Sequence, residues 1–181
     1  IRVDDRVIDT GDYSGTGGAR MLMRQADVEM AVLEVARGGL LRRGLGIESA
    51  DVAAITNVAA DHLGEYGINS VRELIPTKFI VSKALHGDAP LVLNADDEGM
   101  VHFASTLDHP IVWFSLDPDN PLLAESIASG GTVCYLENDW IVVAQGSSVQ
   151  KTVQVEEIPA AMGGIVRYNI SNAMAATCTA V

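Results

Sequence analysis

Residues 51–94 have the sequence DVAAITNVAADHLGEYGINSVRELIPTKFIVSKALHGDAPLVLN, and this stretch decides the fold. It begins with DVAAITN and ends with PLVLN, two short apolar runs of the kind that form buried strands in a parallel sheet. Between them, residues 71–85 carry apolar side chains at helical spacing. Strand, helix and strand in this order predict a β-α-β unit.

The flanking segments continue this pattern in both directions. Upstream, residues 28–34, VEMAVLE, predict a further buried strand. Downstream, a helix predicted over residues 99–107 is followed by a strand predicted over residues 110–115, PIVWFS. A final helix is predicted over residues 169–181, which are rich in alanine.

The segment after Asp119 has a different pattern. Short β-rich runs at residues 132–136, 140–143 and 149–155 are separated by turn-forming clusters, which predicts an antiparallel meander. The sequence therefore predicts an α/β fold, with a mostly parallel sheet flanked by helices and a small antiparallel β appendage. Residues 1–181 have a length typical of one domain.

Composition limits the class of partner. Asp and Glu total 24 against 12 for Lys and Arg, so the formal net charge is −12. A surface this acidic repels phosphate backbones and anionic headgroups, so we expect neither a nucleic-acid nor a membrane partner. Cys134 and Cys178 are isolated thiols without metal-ligand spacing, which favours a reducing compartment, the cytoplasm.

Ligands of parallel α/β sheets bind beyond the carboxyl ends of the strands, so residues that follow the predicted strands are functional candidates. Glu34 ends the first predicted strand and is followed by Arg37 and a glycine pair. A carboxylate at this place is suited to Mg²⁺, and an arginine is suited to anionic oxygens. The alternative is a solvated carboxylate beside an exposed basic face.

A second candidate cluster follows DVAAITN. Asn57 ends that predicted strand, and Asp61 and His62 follow within about one turn of a predicted helix start. An amide, a carboxylate and an imidazole are thus brought close together. The alternative is that Asp61 is an ordinary helix N-cap and His62 a partly buried histidine with a structural role.

Further positions have both a structural and a functional interpretation. Lys78 lies in an apolar helical stretch, where an ammonium is costly unless it is paired, altered or extended to solvent. Asn169 and Asn172 share one face at the start of the last helix, where they contact a base edge or cap the helix. Residues 94–97, NADD, end a strand and contain a candidate helix cap. The glycine-rich stretch up to Gly18 predicts a mobile loop.

Taken in order, these clusters resemble the Mur ligase superfamily, and residues 34–78 are most similar to its cyanophycin synthetase branch. The similarity runs from GDYSG at residues 11–15 through VLNADD at 92–97 and FSLDPDN at 114–120 to MGGIVRYNISNAMAA at 162–176. It covers nearly the whole chain. The collinear order of the motifs carries the resemblance, since no single motif is decisive.

The resemblance implies a central ATP-binding domain that phosphorylates a substrate carboxylate to an acyl phosphate. An incoming amine then displaces the phosphate and forms an amide. The implied cofactors are ATP and Mg²⁺, and the implied partners are an amino acid and a carboxylate-bearing peptide or polymer. In the cyanophycin branch the step joins arginine to an aspartate side chain. A homo-oligomer is left open.

The resemblance also implies roles around the metal. Glu34 and His62 are expected to bind Mg²⁺ or to hold its ligands, and Asp61 and Asn57 to orient that site. Lys78 matches the family lysine that CO₂ carbamylates, which turns a cation into an anion able to organise Mg²⁺. His62, Asp61 and Lys78 are thus the implied catalytic residues.

Nucleotide contacts follow from the same resemblance. Asn169 and Asn172 match the asparagine pair that contacts adenine, although Tyr168 stands where many members have histidine. Asn57 and Arg37 are the other expected cofactor-binding residues. Arg37 is included because an arginine side chain is suited to binding anionic oxygens.

One family feature is absent from the sequence. The family has a phosphate-binding loop ending in Gly-Lys-Thr, but no G-x-x-x-x-G-K-[ST] occurs in residues 1–181. We therefore expect that loop upstream of Ile1, a closing domain downstream, and no ligase turnover by this fragment alone. The alternatives are another Mur-type ligase, acting on peptidoglycan precursors or poly-γ-glutamate, and a catalytically silent module for nucleotide binding or assembly.

Overall fold

The computed structural model describes residues 1–60 and 63–181. Its strands are β1 (Arg2–Val3), β2 (Arg6–Val7), β3 (Ala53–Ile55), β4 (Leu91–Asn94), β5 (Ile111–Ser115), β6 (Thr132–Glu137), β7 (Trp140–Gln145) and β8 (Ser148–Gln154). Its α-helices are α1 (Thr16–Leu22), α2 (Arg37–Arg43), α3 (Val71–Lys78), α4 (Glu98–Ala104), α5 (Pro121–Ala128) and α6 (Arg167–Thr179). Short 3-10 helices occupy Phe79–Ala84, Val155–Glu157 and Pro159–Ala161.

Six strands form one sheet in the order β3-β4-β5-β6-β7-β8, while β1 and β2 form a separate antiparallel pair. The three pairings from β3 to β6 are parallel, and the two pairings from β6 to β8 are antiparallel. The predicted β-α-β unit is confirmed, since β3 and β4 are parallel neighbours joined through α3. The predicted meander is also confirmed, but it continues the main sheet because β6 pairs directly with β5.

Helices on both faces of the sheet explain why the three apolar residues of β4, at positions 91–93, are completely buried. Leu91 and Leu93 belong to a core with α3 and α4, whereas Val92 between them belongs to a core with α6 and Phe114 of β5. All four side chains have 0% exposure. Successive side chains of a strand point to opposite faces, so a strand covered on both sides is apolar at every position.

The prediction of a strand over residues 28–34 is wrong. This segment has no regular secondary structure, and Met30 and Val32 are 87% and 91% exposed. Among the described residues, β3 pairs only with β4, so its other edge has no strand neighbour. An apolar run becomes a strand only when a neighbouring strand supplies its hydrogen bonds, and here none does.

Two further expectations are corrected. The helix predicted over residues 71–85 is α-helical only to Lys78 and continues as a 3-10 helix to Ala84. Pro76 lies inside α3 and cannot donate a backbone hydrogen bond, which weakens this helix. The stretch predicted as a mobile loop up to Gly18 already enters α1 at Thr16, which is buried. A Cβ at Gly18 would lie 2.3 Å from the Tyr13 carbonyl oxygen, so glycine is required for this contact.

The last helix is confirmed, but several shorter helices were not predicted. α5 was missed, although Asn120 accepts a hydrogen bond from the Leu122 amide and Pro121 occupies the first turn, both recognised start signals. α1 and α2 were also missed, because they are glycine-containing and only seven residues long each. Among the described residues, no helix is long and apolar enough to cross a membrane.

Candidate functional site

Polar residues gather where β3, β4 and β5 end. Because these three strands are parallel, their last residues lie at one edge of the sheet, here called the carboxyl edge. Asn57 follows β3, Asn94 is the last residue of β4, and Ser115 is the last residue of β5. The structure thus brings together residues that are far apart in the sequence.

Asp96 makes the carboxyl edge rigid. Its carboxylate accepts hydrogen bonds from the Ser115 hydroxyl and from the Leu116 amide at 2.8 Å. The side-chain amide of Asn120, which caps α5, donates to the Ala95 carbonyl at 3.2 Å. Because its carboxylate already has protein partners, Asp96 ties β4 to β5 and α5 instead of offering free oxygens to a ligand.

Asn57 lies beyond the end of β3 and is exposed. Its two neighbours are held: the Thr56 carbonyl accepts from the Asn94 side chain at 3.3 Å, and the Val58 amide donates to Asp97 at 3.0 Å. Asp97 also caps α4 by accepting from the Met100 amide, which confirms the helix cap predicted within residues 94–97. The two cross-strand contacts were not predicted, because their partners are far apart in sequence.

The segment that leads to α6 begins at the same edge. Gln154 at the end of β8 pairs with Trp140, and Trp140 pairs with Glu137 at the end of β6, so the chain leaves β8 at the carboxyl edge. Two 3-10 turns then lead to α6, and the side chain of Asn169 donates to the Ala160 carbonyl at 2.6 Å.

Apolar side chains are exposed around this helix start. Tyr168 is 67% exposed, Ile165 is 83% exposed, and Asn172 is exposed on the helix. One N–H of the Asn169 side chain donates to the Ala160 carbonyl, which leaves the side-chain oxygen and the second N–H available to a ligand. This surface combines an amide pair with apolar cover, which suits a flat heteroaromatic ligand.

Arg37 occupies the first position of α2, and its guanidinium binds Glu65 at 2.9 Å. Arg42, one turn further along, lies over the Tyr66 ring at 5.6 Å from the ring centre. Two neighbouring residues of the chain after position 62 are therefore bound to one helix. The Arg37 side chain is only 11% exposed, so it helps to position this loop in addition to any role toward an anion.

The side chains of Glu34 and Lys78 have fewer polar contacts with described residues than that of Arg37. Glu34 is exposed in the extended segment before α2, and no hydrogen bond or ion pair joins its carboxylate to a described residue. Lys78 is the last residue of α3 and is half-buried between the buried Thr77 and Phe79. In the described ranges it has no acidic partner. Among the described residues, the structure joins neither of them to another predicted site residue by a hydrogen bond or an ion pair.

Asp61 and His62 lie outside the described residues. Their predicted roles therefore stay predictions. Within residues 1–60 and 63–181, no group of three or more His, Cys, Asp or Glu side chains is arranged to hold a metal ion. A divalent cation at this site would depend on ligand phosphates and water as well as on the protein, as is usual for Mg²⁺.

The two cysteines are buried together in the core beneath α6. Both are free thiols, Cys134 on β6 and Cys178 on α6. The hydrogen bond with Cys178, together with burial, raises the pKa of the Cys134 thiol far above its usual value. A thiol held in its protonated form is a poor nucleophile, so this pair has a packing role.

Comparison with known proteins gives a consistent result. The family model described as Mur ligase middle domain matches residues 8–180. The cyanophycin synthetase of Trichormus variabilis is 38% identical over 178 residues, which is 98% of this chain and 20% of the relative. That of Nostoc sp. is 36% identical over the same 98% of the chain, again 20% of the relative.

A second kind of relative is matched over a shorter stretch. The UDP-N-acetylmuramoylalanine–D-glutamate ligase of Chlorobium phaeobacteroides is 33% identical over 132 residues, which is 70% of this chain and 26% of the relative. The chain thus spans about a fifth of the length of the cyanophycin synthetases it matches.

Proposed function

Because the chain belongs to the Mur ligase middle domain family, we propose that it is the ATP-handling domain of a longer amide ligase. The ligase would join an amino acid to a carboxylate of a peptide or polymer through an acyl phosphate. The observation that supports this proposal is the carboxyl edge, where Asn57 follows β3 and from which the chain continues beyond β8 toward α6. That edge is the ligand-binding place of open parallel α/β sheets.

Adenine is proposed to bind at the start of α6. Asn172 and the remaining hydrogen-bonding groups of Asn169 would read the edge of the base, and Tyr168 would cover its face. A base that covers Tyr168 and Ile165 removes exposed apolar surface from water, which is favourable. Phosphates would then extend toward Asn57 along the same edge.

The reaction proceeds in two balanced steps. A substrate carboxylate oxygen attacks the γ-phosphorus of ATP, the bond to the β–γ bridging oxygen breaks, and ADP leaves. The amine nitrogen then attacks the acyl carbon, inorganic phosphate leaves, and the amine loses a proton as the amide forms. Preorganised donors that meet the charge on the transferred phosphoryl group supply much of the rate, a role that suits Asn57 and Arg37.

Mg²⁺ fits the residues present as an ion held mainly by phosphates. Glu34 would be one protein ligand, since its carboxylate is exposed and has no partner among the described residues. His62 is proposed as a further ligand and Asp61 as a residue that orients it. When bound, the ion would neutralise charge on the transferred phosphoryl group.

Lys78 is proposed to be carbamylated. The proposal is supported by the half-buried place of Lys78 at the end of α3, without an acidic partner in the described part of the chain. Addition of CO₂ to the amine nitrogen, with loss of a proton, gives a carbamate that carries a negative charge. A carbamate at this place would attract the magnesium ion or its water ligands.

The substrate class is proposed from the relatives. Matches named cyanophycin synthetase cover 98% of the chain, whereas the D-glutamate ligase covers 70%. We therefore propose an aspartyl peptide as the carboxylate substrate and arginine as the amino acid.

The test is an assay of the full-length protein with ATP, Mg²⁺, aspartyl peptide and arginine. The proposal predicts ADP and phosphate in equal amounts with the amide. It predicts no ADP without the aspartyl peptide, and no sustained ADP formation without arginine, because only the first step can then occur. Formation of AMP and pyrophosphate would contradict the acyl-phosphate route. ADP formation with UDP-N-acetylmuramoylalanine and D-glutamate alone would assign the chain to the other kind of ligase, and no turnover with any pair would favour a silent module.

A further inference from the structure

We infer that Asn94 and Asp97 are positioning residues that fix the backbone on both sides of Asn57. The inference rests on the proposed function for one point only, namely that Asn57 contacts the nucleotide. The contacts themselves belong to the fold. They join residues that lie 38 and 39 positions apart, one pair on each side of Asn57.

Asn94 and Asp97, here called the clamp, each form a hydrogen bond with the backbone on one side of Asn57. The Asn94 side chain donates to the carbonyl of Thr56 at 3.3 Å, and the amide of Val58 donates to Asp97 at 3.0 Å. Val58 is buried, with 7% exposure, whereas Asn57 between the two held positions is exposed. The clamp therefore fixes the backbone and leaves the amide of Asn57 facing solvent-accessible space.

Asp97 is the residue type that the clamp requires. One carboxylate oxygen accepts from the Met100 amide at 3.1 Å and caps α4, while the other accepts from Val58. Serine or asparagine caps a helix equally well, but neither offers two acceptor oxygens in this arrangement. The second contact explains why an aspartate is suited to this cap.

The two contacts of Asn94 likewise require an asparagine, because one needs an acceptor and the other a donor. Its side-chain oxygen accepts from the Asp96 amide at 2.9 Å, and its nitrogen donates to Thr56. An ionised aspartate accepts hydrogen bonds but cannot donate them, so only one of the two contacts would survive. Asn94 and Asp97 are thus not interchangeable, although both are short polar side chains.

β3 has little else to hold the residues that follow it. The strand has three residues, it pairs only with β4 in the described part of the chain, and its ladder ends at Ile55 paired with Leu93. Beyond that pair, Asn94 and Asp97 continue the attachment to β4 through side chains. A displacement of a binding group by about 1 Å can cost on the order of 100-fold in rate, so such attachment matters for function.

The test uses isosteric exchanges in the full-length protein. Asp97→Asn and Asn94→Asp each keep one of the two hydrogen bonds of the side chain and lose the other or weaken it. We expect the KM for ATP to rise about tenfold in Asp97→Asn, which loses a charged acceptor, and less in Asn94→Asp. The KM for the amino acid should not change. Amide hydrogen exchange at Val58 should become faster in Asp97→Asn, without any need for turnover.

The decisive comparison adds Asn57→Ala. If Asp97 acts through Asn57, Asp97→Asn should have no further effect on the KM for ATP in an Asn57→Ala background. Equal effects in both backgrounds would overturn the inference, as would a normal KM in Asp97→Asn. A wild-type protein without ATP-dependent ligation would instead overturn the proposed function.

Thr152→Val in β8 is the matched control for lost stability. It removes one hydrogen bond, from the threonine hydroxyl to the Ile141 carbonyl at 2.9 Å, far from Asn57 in the sheet order. The inference predicts an unchanged KM for ATP in this variant. A rise equal to that in Asp97→Asn would show that general destabilisation, and not the position of Asn57, causes the effect.

Discussion

Residues 28–34 and β4 are both apolar runs that the sequence predicts as buried strands, but only β4 is one. Leu91, Val92 and Leu93 of β4 are 0% exposed between two parallel neighbours. In the other run, Met30 and Val32 are 87% and 91% exposed. The two runs differ in their neighbours, since β4 lies between two strands whereas no described strand pairs with residues 28–34. Residues 28–34 also contain two charged side chains, Glu29 and Glu34.

This contrast distinguishes a buried region that stabilises the fold from an exposed segment that carries a candidate site residue. The sheet from β4 to β8 with α6 contains most of the largest fully buried side chains. The exposed segment before α2 carries Glu34, which contributes no contact to the core. We therefore expect substitutions in the first region to change stability, and substitutions in the second to change activity alone.

The largest expected effect is on stability. Phe114 is fully buried between β5 and α6, so Phe114→Ala should lower the free energy of unfolding by about 3–5 kcal/mol. Met30→Ala is the matched exchange in the exposed run and should change it by less than about 0.5 kcal/mol. Denaturant unfolding of both variants measures the difference. A similar loss in both would show that residues 28–34 are packed in solution.

The next effect is on activity. Glu34→Ala in the full-length protein should lower kcat roughly 100-fold or more, because the proposed metal ligand is lost, while the unfolding midpoint stays the same. Arg43→Ala, also exposed and in α2, is the control and should retain turnover. Near-normal activity of Glu34→Ala would disprove the metal assignment.

A smaller, chemically specific effect is expected at Lys78. Lys78→Ala should lower ligase turnover less than Glu34→Ala does, and small carboxylates such as formate or acetate should restore part of it by replacing the proposed carbamate. Lys83, in the adjoining 3-10 helix, is the control. Lys83→Ala should retain turnover, and formate or acetate should not raise it. Failure of rescue together with unchanged activity in CO₂-depleted buffer would identify Lys78 as an ordinary lysine.

The smallest effect concerns the start of α3. Ser70 accepts from the Glu73 amide, and Glu73 accepts from the amides of Asn69 and Ser70, forming a capping box. Ser70→Ala should cost about 1 kcal/mol. These hydrogen bonds, that from Asn69 first, lower the pKa of Glu73 in the folded protein.

The sign of the pH dependence follows from that lowered pKa. The ionised carboxylate stabilises the folded protein above its unfolded pKa, and the contribution is lost as the pH falls through the folded value. Glu73→Gln should therefore be less stable than wild type at pH 7, and the gap should close below about pH 4. Thermal unfolding across this range measures it, and a constant gap would contradict the explanation.

The sequence predicted the parts of the fold that depend on local pattern. β4, β5, the meander and α6 were predicted correctly, because the apolar spacing of each segment and the pattern of the adjoining segments favour the same structure. The strand over residues 28–34 failed because strand formation needs a hydrogen-bonding neighbour, which periodicity does not contain. Pro76 was a visible sign against a long regular helix over residues 71–85, and the apolar spacing alone did not show it.

The candidate site was predictable only in part. Asn57 could be placed at a strand end from DVAAITN, and Asn169 and Asn172 at a helix start. The contacts of Asn94 and Asp97 with residues 56 and 58 could not be predicted, because they depend on which strand lies beside β3. The pairing of Arg37 with Glu65 likewise depends on how the loop after position 62 folds back on α2.

The acyl phosphate is the central claim, and isotope transfer tests it most directly. The full-length protein would be given ATP, arginine and an aspartyl peptide whose side-chain carboxylate carries ¹⁸O. Our account predicts that one ¹⁸O atom appears in the inorganic phosphate for each amide formed. Phosphate without ¹⁸O, released while the amide accumulates, would contradict it.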